Sequence, residues 1–174
     1  MTITRWIVII IILLLGATTR IYHLADQSLW VDEGYAYYHA HYPSLIETLA
    51  RDTHPPLYFG ALRLWSEVTG DSELALRWFS LLPSMLSLAV MYQLAREVLR
   101  FRPNRNIGKQ FPLLAMLLLA LADSENFLSQ EVRHYTWLVL LVSCSMWMFL
   151  RWIRTHSRRA FTLWIGFTVA MTYT

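Results

Sequence analysis

The pentapeptide Trp30-Val31-Asp32-Glu33-Gly34 places two carboxylates side by side just after the first hydrophobic run, and His54-Pro55-Pro56-Leu57-Tyr58 follows in the same polar stretch. A carboxylate at a membrane surface acts as a general base when an acceptor hydroxyl or amine lies within hydrogen-bond reach. The plainer alternative for Asp32 and Glu33 is an acidic, solvated turn or a helix cap. His54 offers a ring nitrogen to an acceptor or a metal; equally, it is a turn histidine packed on proline. A second cluster, Glu131-Val132-Arg133-His134-Tyr135, precedes a later hydrophobic run. The Arg133 guanidinium suits bidentate contact with phosphate oxygens. The alternative is an interfacial Glu131–Arg133 pair with Tyr135 in the aromatic belt. Arg77 either reaches a phosphate or snorkels to the surface. His39, His41 and His54 form a loose metal set with Asp32. Being two apart, His39 and His41 suit one face of a strand better than one of a helix.

The elements that must position these groups are membrane helices. Of 174 residues, 56% are hydrophobic, and the mean hydropathy is +0.36. That is too apolar for an ordinary soluble domain. A spanning helix takes about 20 mostly apolar residues. The runs predict spans near residues 6–22, 75–95, 108–125 and 135–152, and an unfinished one over 160–174. A cleaved signal peptide is the rival for the first run, but Gly16-Ala17-Thr18-Thr19-Arg20 is a poor cleavage site. We read one membrane domain over 1–174, all-α and polytopic, with a long structured outer loop at 23–74.

Charge sets the orientation. With the N-terminus inside, the inner segments carry Arg5, Arg96, Arg100, Arg102, Arg105, Lys109, Arg151, Arg154, Arg158 and Arg159 against one acid, Glu97. This is the positive-inside pattern. The net charge of +3 is therefore a sum over two unlike sides, and nucleic-acid binding is not indicated. The lone Cys144 reads as a small apolar filler.

Within the outer loop, Ser44-Leu45-Ile46-Glu47 has the form of a capping box and predicts a short helix over 44–51. Pro56 opens a further helix over 57–68 that closes at Gly70. It carries Leu57, Leu64, Trp65 and Val68 near one face and is too short to cross, so it lies on the membrane surface. Asp71 or Ser72 then caps the second span. The third apolar run is short, so Asp123 and Glu125 fall at or inside the outer boundary. Such groups face a cavity or a partner, because an unpaired charge at mid-bilayer costs about 2.5–3.5 kcal/mol on insertion scales.

The ordered set of Trp-x-Asp-Glu (Trp30 to Glu33), His-Pro-Pro-Leu-Tyr (His54 to Tyr58), Gly-x-Ser-Glu-x-Ala-Leu-Arg (Gly70 to Arg77) and Ser-Gln-Glu-x-Arg-x-Tyr (Ser129 to Tyr135) resembles the N-terminal part of membrane glycosyltransferases of the GT-C fold. The nearest likeness is to bacterial members of the dolichyl-phosphate-mannose protein mannosyltransferase family, which includes aminoarabinose transferases of lipid A. Asp123 departs from the pattern, standing where many relatives have proline.

The resemblance implies a multi-pass protein of the cell inner membrane with a cytoplasmic N-terminus. Its activity would be transfer of a sugar from a polyprenyl-phosphate donor to a glycan, lipid or protein acceptor on the outer face. The resemblance makes Asp32 the base, with Glu33 orienting acceptor or backbone. His54, Tyr58, Arg77, Glu131, Arg133 and Tyr135 become the substrate-binding set. No cofactor is certain; some relatives use a divalent cation and others none, with Asp32 and His54 as weak ligand candidates. The family is several hundred residues long, so the chain reads as its front third. This keeps a second function open, a non-catalytic or partner-dependent membrane subunit completed by a second chain. A transporter is the third reading, less favoured because the polar residues cluster at one boundary instead of mid-span.

Overall fold

The computed structural model describes residues 3–26, 28–41, 56–101, 108 and 110–174. The helix expected over 44–51 and His54 lie outside the described residues. Among the described residues eight helices follow in order: α1 (Ile3–Ile21), α2 (Val31–His41), α3 (Pro56–Thr69), α4 (Glu73–Phe101), α5 (Phe111–Ala120), α6 (Asp123–Ser129), α7 (Tyr135–Thr155) and α8 (Arg158–Thr172). Among the described residues there is no strand. Helices α1, α4 and α7 are long and apolar enough to cross a membrane, and α5 with α6 makes a fourth candidate as one bent span. The chain is an all-α polytopic membrane protein.

Helix α4 is the centre of the bundle and packs against α1, α3, α5, α6 and α7. Two apolar clusters hold it. Ile9, Ile12, Leu88, Tyr92, Met116 and Ala120 join α1, α4 and α5. Gly16 permits the closest approach of α1: a Cβ there would lie 2.7 Å from Leu88 Cδ1 and 3.5 Å from the Ala120 Cβ. At the Asp32 end, Ala36, Ala40, Tyr58, Phe59, Leu62, Leu76, Phe79 and Val132 bring α2, α3, α4 and the 131–134 turn together.

Proline at position 83 interrupts α4 without ending it. Its ring supplies no N–H, so the Phe79 carbonyl four residues back loses its helical donor. Trp137 Nε1 takes that place, donating to Phe79 O at 2.9 Å, and Thr136 Oγ1 donates to Ser80 O at 2.8 Å. In a bilayer every backbone group must be satisfied internally, so the proline break becomes the docking point for α7.

Helix α3 closes at Gly70 (φ 86°). Ser72 caps α4 by accepting from Ala75 N at 3.2 Å. On α3 the face turned to the protein is Tyr58, Phe59, Leu62 and Ser66, whereas Leu57, Leu64 and Val68 stay exposed. An exposed apolar stripe on a short helix suits a membrane surface. The region expected as a single span over 108–125 bends by 55° between α5 and α6. Ala122 there is extended, and the bend turns Glu125 back into the bundle. Helix α8 packs antiparallel on α7: Phe149 and Trp152 meet Trp164, and Ser145 bonds Thr168 at 2.9 Å.

Candidate active site

Asp32 and Glu33 lie in the first turn of α2, where the helix dipole favours carboxylates. Glu33 reaches back to the Trp30 N–H at 3.2 Å, the glutamate half of a capping box. The same carboxylate is 1% exposed and is enclosed on its other sides. Arg77 donates to it from Nε at 3.3 Å and Nη2 at 3.2 Å, and Val132 N donates at 2.9 Å. Arg77 is itself buried, and its Nη1 donates to Leu24 O at 2.8 Å. A buried pair of this kind holds only when the remaining donors and acceptors are filled, and here they are. It ties the segment after α1, the start of α2, the start of α4 and the 131–134 turn into one junction.

Asp32 points the other way. Its side chain is 52% exposed, and Arg133 Nη2 lies 4.0 Å from its Oδ2. Arg133 also donates to the Asp32 carbonyl at 3.4 Å, and its guanidinium lies 5.8 Å from the centre of the Tyr135 ring. The sequence therefore sends adjacent acids to opposite tasks, one solvated and one locked. Next to them opens a cleft of about 400 Å³ lined by His23, Trp30, Glu33, Arg77, Phe127, Gln130 and Glu131. Glu131 is 8% exposed. Burial pushes its carboxyl above the usual carboxylate range; the nearby charge of Glu33 adds to the rise and Arg133 opposes it.

The structure thus brings Asp32, Glu33, Arg77, Glu131, Arg133 and Tyr135 to one end of the bundle. Tyr58 stands apart from the cleft: its ring packs on Phe59 (5.6 Å), Phe79 (5.5 Å) and His134 (6.0 Å) in the core. Burial holds its hydroxyl well above the usual phenol range. His39 and His41 sit on a helix, not a strand, so they diverge. His39 packs on Tyr35 and Phe59. His41 stacks on Tyr37 and contacts Ser66 at 2.8 Å. Among the described residues no three His, Cys, Asp or Glu side chains gather to hold a metal.

A polar network supports the cleft from below, and sequence reasoning missed its centre, Arg20. Arg20 is fully buried at the end of α1. Its Nε donates to Ser84 Oγ at 2.8 Å, and Ser84 donates on to Glu125 Oε1 at 3.0 Å. Arg20 Nη1 donates to Ala120 O at 3.2 Å, a carbonyl at the open end of α5. Gln130 Nε2 caps α1 through Arg20 O (3.1 Å) and Tyr22 O (2.8 Å). The available signal was an arginine next to an apolar run, in a chain whose third span also carried unpaired acids.

The fold and site define a polytopic helical membrane protein with an acidic and basic cluster at one end. A family model for dolichyl-phosphate-mannose-protein mannosyltransferase matches residues 53–174, and the chain belongs to that family. The match takes in Arg77, Glu131 and Arg133 and begins after Asp32 and Glu33. Comparison with curated proteins and with solved structures gives no match.

Proposed function

We propose that the chain carries the acceptor-activating part of a GT-C glycosyltransferase that moves a sugar from a polyprenyl-phosphate donor to an acceptor at the outer face of the cytoplasmic membrane. The observation that carries this reading is the solvated Asp32 carboxylate 4.0 Å from the Arg133 guanidinium, on a frame locked by Glu33 and Arg77. Asp32 takes the proton of an acceptor hydroxyl or amine. The acceptor atom then bonds to the anomeric carbon as the bond from that carbon to the phosphate oxygen breaks. Arg133 neutralises the departing phosphate, and Tyr135 and Glu131 border its path. Glu33 and Arg77 position Asp32 and the 131–134 turn.

In this reading the N-terminus is cytoplasmic and the Asp32 end faces outward. Helix α3 lies on the membrane surface beside the lipid donor. The acceptor is a glycan, lipid or protein group whose tip reaches the solvated Asp32 carboxylate beside Arg133.

The test is transfer of radiolabelled sugar from a polyprenyl-phosphate to a lipid-extractable or protein-bound product by membranes containing the protein. Transfer above control membranes supports the reading. Binding of the donor without any transfer favours the partner-dependent subunit.

A further inference from the structure

At the end of the bundle opposite Asp32, a second cavity of about 400 Å³ opens between the start of α1 and the far part of α4. Its apolar walls include Ile9, Leu13 and Met116, and its rim carries Trp6, Gln93 and Arg96. Tyr92 faces it. That side chain is 5% exposed, and its hydroxyl has no hydrogen-bond partner among the described residues. Buried hydroxyls are ordinarily paired, and an exception asks for a missing partner. Two guanidinium groups flank the same ring: Arg5 at 5.9 Å and Arg96 at 5.7 Å from its centre. The nearest acid on α4, Glu97, is taken up by Arg154 (2.5 Å) and Arg100 (2.6 Å). Among the described residues no carboxylate lines the cavity, and Arg96 Nη1 donates to the neutral Gln93 Oε1 at 3.2 Å.

A cation (Arg96) and a hydroxyl donor at an apolar slot, a second cation (Arg5) beside the Tyr92 ring, and an exposed tryptophan at the rim match a phosphate joined to an acyl chain. We propose that this cavity binds the phosphate of an anionic phospholipid in the leaflet opposite Asp32. Arg5 and Arg96 contact the phosphate oxygens, Tyr92 donates its hydroxyl to one of them, and an acyl chain lies along Ile9, Leu13 and Met116. Basic pockets between helices are a recurrent way of holding such headgroups. The site is separate from the sugar-donor end and would stabilise the packing of α1 on α4.

The experiment places the full chain in nanodiscs of phosphatidylcholine with increasing phosphatidylglycerol and follows thermal unfolding. Phospholipid retained after detergent extraction is read by mass spectrometry. Phosphatidylglycerol is expected to raise the Tm saturably. Arg96→Gln should weaken its apparent affinity about fivefold, the effect of one basic contact near a membrane surface. Tyr92→Phe should lower lipid retention, while Arg151→Gln, an exposed arginine outside the cavity, leaves both readouts unchanged. Tyr92→Phe and Arg5→Gln keep the test alive if Arg96→Gln fails to fold. An equal loss in Arg151→Gln, or no Tm response to phosphatidylglycerol, overturns the site. An equal Tm rise from inorganic phosphate in pure phosphatidylcholine discs would assign it to a free anion instead of a lipid.

Discussion

The carboxylates of Asp32 and Glu33 leave the first turn of α2 in different directions, one 52% exposed beside Arg133 and the other 1% exposed against Arg77. Neighbours in the chain therefore answer to different tests. Glu33→Gln leaves a buried guanidinium without its counter-charge, and breaking a buried pair costs about 3–5 kcal/mol. The expected result is a Tm lower by many degrees and poor recovery from the membrane. Asp32→Asn should leave the melting curve within about 0.5 kcal/mol of the parent, as exposed substitutions do. Detergent-solubilised melting curves of both variants check this; equal losses would contradict the division of roles.

Glu131 should make stability pH-dependent. Its folded-state pKa is raised by burial and by Glu33, so the folded chain holds this proton where the unfolded chain has released it. The contribution is complete below the ordinary glutamate range and is lost as pH rises through the raised folded value. Unfolding monitored from about pH 4 upward should show this decline in the parent protein and a flatter profile in Glu131→Gln. A profile unchanged by the substitution would contradict the assignment.

Trp137→Phe removes the donor that serves the Phe79 carbonyl left open by Pro83. Leaving a buried acceptor unpaired costs about 1–3 kcal/mol. Restoring the helical N–H with Pro83→Ala should recover much of that loss in the double variant. Thermal melts of the two single variants and the pair give the coupling energy; strict additivity would count against the proposed exchange of donors.

Arg20→Met should destabilise the bundle, because Glu125 then lies buried with Ser84 as its one hydrogen-bond partner among the described residues. Adding Glu125→Gln removes the uncompensated carboxylate, and the double variant should be more stable than Arg20→Met alone. Protease resistance in membranes distinguishes the two outcomes.

Much of the architecture was legible because it rests on long-range composition. Apolar runs report helices long enough to span without any knowledge of packing. Local chemistry carried Gly70 and Ser72, whose conformational and capping preferences hold in isolation. Arg20 was not legible: its partners Ser84, Ala120 and Glu125 lie on three other segments, brought together across the 55° bend at Ala122. His39 and His41 misled for a related reason, since alternate spacing of aromatic residues resembles a strand until Ala36 and Ala40 are seen to pack in the α2 core. The site was partly legible. Motif order pointed to Asp32, Glu33, Arg77 and Arg133, but only their contacts show that Arg77 is spent on Glu33 and that Tyr58 belongs to the core.

The most direct measurement is the rate of sugar transfer from labelled polyprenyl-phosphate by membranes carrying equal, folded amounts of the parent chain and of Asp32→Asn. Transfer by the parent is expected, with a loss of about 10²–10⁴-fold in the variant, the usual contribution of a positioned general base. Transfer by Asp32→Asn at the parent rate would contradict it.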